Sequence, residues 1–239
     1  MSKKNSSVLN LKSAISNKKI LESYLVFKKN FISLKKNIFV IGVSGGPDSL
    51  ALVALSKILC TEKKIKFYYV LVDHGIRANS EKEAMQVKGF LKKHRINLHI
   101  LKNKIKVKKN IQSKARQIRY DLLIKFAKKK NINYILTGHH SDDQVETFLI
   151  RLSRGSGIQG LSSMKIFTNL SKGIILFRPL LNLKKRDLIY ISKFFFTKTF
   201  KDPSNKNKKF LRTKIRSLKN TLEKSGIHYD QIIKSISNI

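Results

Sequence analysis

The chain has 239 residues, 41% of them hydrophobic, which is enough core for one large domain or for one domain with an appendage. Against 14 Asp and Glu stand 51 Lys and Arg, a formal net charge of +37 that points to a polyanionic partner. Cys60 is the only cysteine, which excludes a disulfide framework, a zinc knuckle, a cysteine-ligated iron–sulfur cluster and a two-cysteine sulfur relay within these residues, and fits a reducing compartment. No apolar run approaches the roughly 18 residues of a membrane span. The first residues, "MSKKNSSVLNLKSAISNKK", carry neither an apolar h-region nor a small-residue cleavage site.

The alternation of apolar runs and amphipathic stretches predicts elements in chain order. An amphipathic helix over Leu11–Ile32 leads into a strand at Ile38–Val43, a loop at 44–48 and a helix at 49–60. Cys60 ends that helix's apolar pattern, "ALVALSKILC", and reads as a packed thiol. A strand at Lys66–Val72, a helix near Ser80–Lys93 and a strand at Asn97–Leu101 follow. Then come a long helix near Ile111–Lys130, a strand at Tyr134–Thr137 and a helix at Ser141–Ser153. After Gly160 the pattern weakens to a short strand in "GIILFRPLL", a helix near Lys184–Phe195 and a basic tail from Lys201. The βαβα rhythm predicts an α/β fold, a twisted parallel sheet with helices on both faces, closed by a short helical C-terminal segment. The expected organisation is a helical lead-in over 1–34, an α/β domain over 35–200 and a basic helical segment over 201–239.

In such sheets ligands sit at the carboxyl ends of the strands. Three of the four expected strand ends carry polar, reactive groups: Ser44–Ser49, Asp73-His74, and His139-His140 with Asp142-Asp143. They are expected to converge on one site. The stretch "NIFVIGVSGGPDSLALVAL" (37–55) places two glycines, a proline and a carboxylate at a strand-to-helix turn. Glycines there let successive backbone N–H groups face inward, and the helix adds its positive end, so the expected ligand is phosphate. GxxxxGK[ST] is absent, so no lysine of a Walker loop reaches the outer phosphates. Asp48 facing a polyphosphate is repulsive unless a divalent cation such as Mg²⁺ lies between them. A loop of this kind suits a departing pyrophosphate.

Other patterns carry less. His139-His140 with Asp142-Asp143 invites a binuclear metallohydrolase, but only six His exist and His74 is the one other near a strand end. Gly155–Gly160 formally spells GxGxxG, yet it follows a helical run rather than a strand, so it reads as a loop near substrate. Of the 51 basic residues 41 are Lys, which an AT-rich genome would also produce, so the 10 Arg are more telling. Seven fall in four short segments, Arg116/Arg119, Arg151/Arg154, Arg178 and Arg212/Arg216, as candidate forks for phosphate or carboxylate.

"SGGPDS" resembles the PP-loop of the N-type ATP pyrophosphatases, which cleave ATP between its α and β phosphates and adenylate a carbonyl oxygen. "VDHGIRANSEKEA" (72–84), "ARQIRYDLL" (115–123), "GHHSDDQVETFLIRLSRGSGIQGLSSM" (138–164), "RPLL" (178–181) and "DPSN" (202–205) resemble, in the same order, the tRNA(Ile)-lysidine synthetase family. The resemblance covers roughly residues 35–216. The loop motif is specific to the superfamily and the long 138–164 block to the family.

The resemblance implies ATP-dependent ligation of free L-lysine onto C2 of the wobble cytidine of a CAU-anticodon isoleucine tRNA, through an adenylated intermediate. Decoding then changes from AUG to AUA and identity from Met to Ile. ATP and Mg²⁺ are the implied cofactors. Ser44, Gly45, Gly46, Pro47, Asp48, Ser49, Asp73, His74 and His139 are expected at the nucleotide, with Asp48 toward Mg²⁺. Asp48, Asp143, Glu146 and Arg116 are expected in catalysis. Asp143 and Glu146, three apart on one helix face, would orient the lysine ammonium and accept its proton, while Asp142 is expected as an N-cap or helix-dipole residue. Arg116 and Arg119 suit phosphate or tRNA backbone. Arg119, His140, Arg151, Arg154, Arg212 and Arg216 are expected at tRNA or lysine. A bacterial cytoplasm is implied, an organelle stroma or matrix being the alternative, and a homodimer is left open.

Two departures stand out. Arg212-Thr213-Lys214-Ile215-Arg216 has Thr where the family commonly has Asn, and the sequence ends at Ile239 where many members continue, so a short form lacking most C-terminal domains is expected. Two rivals remain. Another PP-loop enzyme, a tRNA thiolase or amide synthetase, is opposed by the lone Cys60 and by the lack of an N-terminal nucleophilic cysteine or glutaminase domain. A non-catalytic RNA-binding protein is opposed by the intact motif blocks.

Overall fold

The computed structural model describes residues 11–76, 79–103, 111–162, 164–200 and 210–239. The "DPSN" segment, Arg77-Ala78 of the 72–84 block, Ser163 and the start of the basic tail lie outside the described residues. A six-stranded sheet has the order β3-β2-β1-β4-β6-β5, formed by β1 (Ile38–Gly42), β2 (Lys66–Asp73), β3 (Leu98–Lys102), β4 (Tyr134–Leu136), β5 (Phe167–Ser171) and β6 (Ile174–Phe177). The strands β3, β2, β1, β4 and β6 are mutually parallel. In the centre, Val40 stands beside Tyr68 on one side and Ile135 on the other.

The expected α/β class holds, with one difference. β5 runs antiparallel to β6, through a turn at Gly173 with φ of +77°. It joins the edge of an otherwise parallel sheet, a common arrangement in doubly wound folds.

Both sheet faces are covered, which is why the central strands read as continuous apolar runs. On one face lies α3 (Pro47–Glu62), whose residues from Leu50 to Leu55 are all fully buried, with α8 (Lys185–Phe195) behind it. On the other lies α5 (Ile111–Lys129), whose Leu123 and Ala127 pack with Val40, Val70, Ile135 and Leu176. α4 (Ser80–Lys93) follows β2 and buries Ala84, Val87 and Leu91.

The expected helix over Leu11–Ile32 divides into α1 (Leu11–Ser16) and α2 (Lys18–Lys29). Asn17 makes the break, because its side chain accepts from Ile20 N at 3.2 Å and caps α2. α2 shares the main core: Phe31, just beyond it, meets Phe39 at 5.4 Å and Phe177 at 5.0 Å, edge-on, between ring centroids. After α6 (Ser141–Leu152) comes the short α7 (Ile158–Leu161), and the C-terminal residues form α9 (Leu211–Ser217), α10 (Lys219–Lys224) and α11 (Tyr229–Ser237). Among the described residues no helix is long and apolar enough to cross a membrane.

Candidate active site

Successive connections leave β1 toward β2 and return to β4 on β1's other side, so the carboxyl ends of β1 and β4 border a topological switch point. The three polar strand ends, 44–49, 73–74 and 137–143, lie side by side there on β1, β2 and β4.

α3 starts two residues earlier than the sequence suggests, at Pro47, because an N1 proline lacks only an N–H that would be unpaired anyway. Asp48 therefore belongs to the first helical turn rather than to a loop, which corrects the expectation. Gly45 has φ of +80°, a region costly for other residues. Ser49 ties the turn together: its Oγ donates to Gly46 O at 3.0 Å and accepts from Ser44 N at 3.2 Å. Opposite, Gly138 approaches so closely that a Cβ there would stand 3.0 Å from Asp48 O and 3.2 Å from Ser49 N. The β4 corner and the β1 turn thus touch through backbone.

Asp48 Oδ1 is buried and has no hydrogen-bond partner among the described residues, while its Oδ2 lies 3.6 Å from His140 Nε2. An orphaned carboxylate oxygen beside an N–H-lined turn fits Mg²⁺, which binds proteins through one or two carboxylates together with substrate phosphates. Among the described residues no group of three or more His, Cys, Asp or Glu is placed to hold a metal by itself.

At the start of α6 the structure decides between the two roles expected of Asp142. The N-cap is His140, not Asp142: its Nδ1 accepts from Asp143 N at 3.4 Å, and its own N–H donates to Asp143 Oδ2 at 3.1 Å, a reciprocal capping box. His140 is only 1% exposed and turns its ring to neighbouring carboxylates rather than to an open surface. Its ring lies between Asp48 and Asp143, at 3.6 and 3.5 Å. Burial opposes its protonation, but the Asp48 and Asp143 carboxylates outweigh that and raise its pKa. Asp142 lies in the first turn of α6, the helix-dipole position expected of it, where it also accepts from Lys185 N at 3.2 Å and pairs with Lys219 at 2.6 Å.

Asp143 and Glu146 do share one face of α6, and they meet the arginines of α9 there. Arg212 Nε donates to Glu146 at 2.7 Å and its Nη2 to Asp143 at 3.1 Å. Arg216 grips Glu146 with Nε at 2.7 Å and Nη2 at 2.9 Å. The two arginines expected at RNA or lysine therefore face the two carboxylates expected at lysine. Burial alone would raise the Glu146 carboxyl, but the hydrogen bonds from Arg216 and Arg212 more than offset it and hold the pKa below its usual range.

The remaining residues divide. His139 hydrogen-bonds Thr137 Oγ1 at 2.8 Å. Burial, then the nearby Arg178, Arg116 and Arg212 charges against Asp143, push its pKa down to about 3, so the ring is neutral at pH 7. Asp73 accepts from Gly75 N at 3.0 Å, shaping the turn after β2, and His74 lies 3.3 Å from Arg119 of α5. Arg116 stacks over the Tyr120 ring at 5.0 Å. Arg151 donates to Gly160 O at 2.9 Å and to Ser162 O, holding α7 against α6. Gly155, with φ of +69°, follows α6, so the GxGxxG spelling is a helix end rather than a phosphate loop, and Arg154 is exposed beside it. Sequence reasoning gave no site to Lys219, which sits 77 residues from Asp142, and named Arg178 only as a candidate fork.

The tRNA(Ile)-lysidine synthase of Wolbachia pipientis wMel is 40% identical over 205 residues, covering 83% of this chain and 47% of that protein. Its counterpart from Orientia tsutsugamushi (strain Boryong) is 40% identical over 181 residues, 74% of this chain and 40% of that one. That of Bradyrhizobium diazoefficiens is 38% identical over 205 residues, 83% and 56%. The chain thus spans about half the length of these relatives. Among solved structures, the U34-tRNA thiolase NcsA from Methanococcus maripaludis, with its 4Fe-4S cluster, superposes with a TM-score of 0.75 over 92% of this chain and 79% of that one, at 19% identity, a likeness of fold. A family model of the PP-loop domain matches residues 14–222, and with the glycine turn after β1 in place the chain belongs to the PP-loop domain family.

Proposed function

We propose that the chain carries the catalytic domain of a tRNA(Ile)-lysidine synthetase, joining lysine to C2 of the wobble cytidine in a CAU-anticodon isoleucine tRNA at the expense of ATP. The observation that carries the proposal is the contact between two half-sites, the Ser44–Ser49 turn with its orphaned Asp48 oxygen, and the Asp143/Glu146 face of α6, bridged by His140. One half suits a polyphosphate and the other an ammonium group. Relatives named tRNA(Ile)-lysidine synthase at 38–40% identity support the same reading. The thiolase neighbour was solved with an iron–sulfur cluster, whereas Cys60 is the only cysteine of these 239 residues, so sulfur transfer is the weaker alternative.

In this reading the N–H groups of the 44–49 turn that remain free, Pro47 having none, and the α3 N-terminus hold the β and γ phosphates. Mg²⁺ held by Asp48 would neutralise phosphate charge as pyrophosphate forms. The C2 carbonyl oxygen of the cytidine takes the adenylyl group, which turns a poor leaving oxygen into AMP. The lysine ε-ammonium docks at the carboxylates, displacing an arginine N–H, and loses a proton before its nitrogen attacks C2. Glu146, held at depressed pKa by two guanidinium groups, is a counter-ion rather than a base, which leaves Asp143 as the proton acceptor of the pair. The lysidine so formed pairs with A rather than G. Incubation with the isoleucine tRNA, radiolabelled lysine and α-labelled ATP tests this: lysine-labelled nucleoside with AMP and pyrophosphate is expected. ADP as the main product, or label confined to free lysine, would remove the proposal.

A further inference from the structure

Arg178, the first residue after β6, is 5% exposed, and no Asp or Glu lies within ion-pair distance of it among the described residues. Its Nη1 donates to Lys165 O at 2.6 Å and to Thr168 Oγ1 at 2.9 Å, while its Nε is buried without a partner. Two neutral acceptors can be served by a neutral donor, and a buried cation without a counter-ion is costly. Burial weighs most against its charge, Tyr120 favours it, and Arg116 on α5 repels it; Arg116 itself rests on Tyr120 with no carboxylate within ion-pair distance among the described residues. Thr137 N bonds Phe177 O at 3.1 Å, so Arg178 adjoins the Thr137–His139 corner of β4, where His139 feels both guanidinium charges and stays neutral. Two arginines and an uncharged imidazole thus lie within electrostatic reach of one another near a strand end where ligands of such sheets bind.

We propose that Arg178 is a phosphate-binding residue, forming with Arg116 a two-guanidinium clamp on a single phosphate one strand beyond the Ser44–Ser49 turn. The proposal rests on the ATP and tRNA reading given above for its ligands. Two sources supply the same chemistry, the phosphate that stays with adenosine when pyrophosphate leaves, and a phosphodiester of the bound RNA. A guanidinium matches either through paired N–H donors. The rival role for Arg178 is a pin, fixing β5 to the end of β6 through Lys165 and Thr168.

The test compares wild type with Arg178→Gln, Arg178→Lys and the exposed Arg116→Gln. ATP and tRNA affinities are measured separately, with thermal midpoints taken with and without ATP. A clamp on the nucleotide weakens ATP binding by about 10- to 100-fold in Arg178→Gln and Arg116→Gln, with partial recovery in Arg178→Lys. The ligand-free midpoint of Arg178→Gln is then unchanged or higher, and ATP raises it less than it raises wild type. A loss of the same size confined to tRNA assigns the phosphate to RNA. Unchanged affinity for both ligands, or a lower ligand-free midpoint with full ATP stabilisation, overturns the proposal in favour of the pin. If wild type binds tRNA but not ATP, the nucleotide reading falls, and the tRNA arm alone decides for or against the clamp.

Discussion

Removing the Glu146 carboxylate is expected to be the most destabilising single change at the α6–α9 contact. Glu146 is 1% exposed and accepts three charge-assisted hydrogen bonds, one from Arg212 and two from Arg216. Breaking a buried ion pair from one side typically costs about 3–5 kcal/mol. Here the arginine side chains keep 37% and 36% of their exposure and can partly rehydrate, so about 2–3 kcal/mol is expected for Glu146→Ala. For a chain of this size that corresponds to a midpoint lowered by about 5–10 °C. The pH dependence has a fixed sign. The folded-state pKa of Glu146 is depressed, so its contribution is fully present above the ordinary Glu pKa of about 4.3 and is lost as pH falls through the lower folded value. Melting curves by circular dichroism, followed from pH 7 into the acid range, should therefore show the gap between wild type and variant closing below about pH 4. A gap under about 1 °C at pH 7, or one that widens on acidification, would refute the reasoning.

Three further expectations concern the chemistry. Asp143→Ala should slow lysine transfer by about 10²–10⁴-fold while sparing adenylation, so single-turnover assays should catch adenylated tRNA accumulating; near-normal lysine incorporation would remove Asp143 as proton acceptor. Asp48→Asn should abolish Mg²⁺-dependent AMP formation with an unchanged circular dichroism spectrum, and normal turnover would end the metal role given to Asp48. Gly138→Ala places a methyl 3.0 Å from Asp48 O, forcing the β1 turn to shift. It should cost about 1–3 kcal/mol of stability and weaken ATP binding measured by calorimetry; unaltered affinity would show that the two corners move independently.

Much of the framework was legible because it is local. The central strands are apolar runs, the glycine turn follows β1 directly, and the carboxylates of α6 are three residues apart. β5 was not legible, since "FTNLS" at a sheet edge is largely exposed and lacks the apolar signature of its neighbours. The break at Asn17 was masked by continuous amphipathic spacing, and histidine is an unusual N-cap, so Asp142 looked the better cap for α6. The pairing of Arg212 and Arg216 with Glu146 spans 66 and 70 residues and leaves no trace in local spacing. Each arginine alone reads as a free fork, and only the tertiary structure reveals its carboxylate.

The ladder of acids on α6 has a consequence for how the chain is made. Asp142, Asp143 and Glu146 find their cations at Lys219, Arg212 and Arg216. During synthesis these carboxylates leave the ribosome well before their counter-ions, while the central strands and α3 already possess the apolar surface to collapse. Until α9 and the start of α10 arrive, the α6 acids gain more from water than from burial. Completion of this corner is therefore expected as a late event, slowed by high salt that screens the approach of the basic helices, after the apolar sheet has formed.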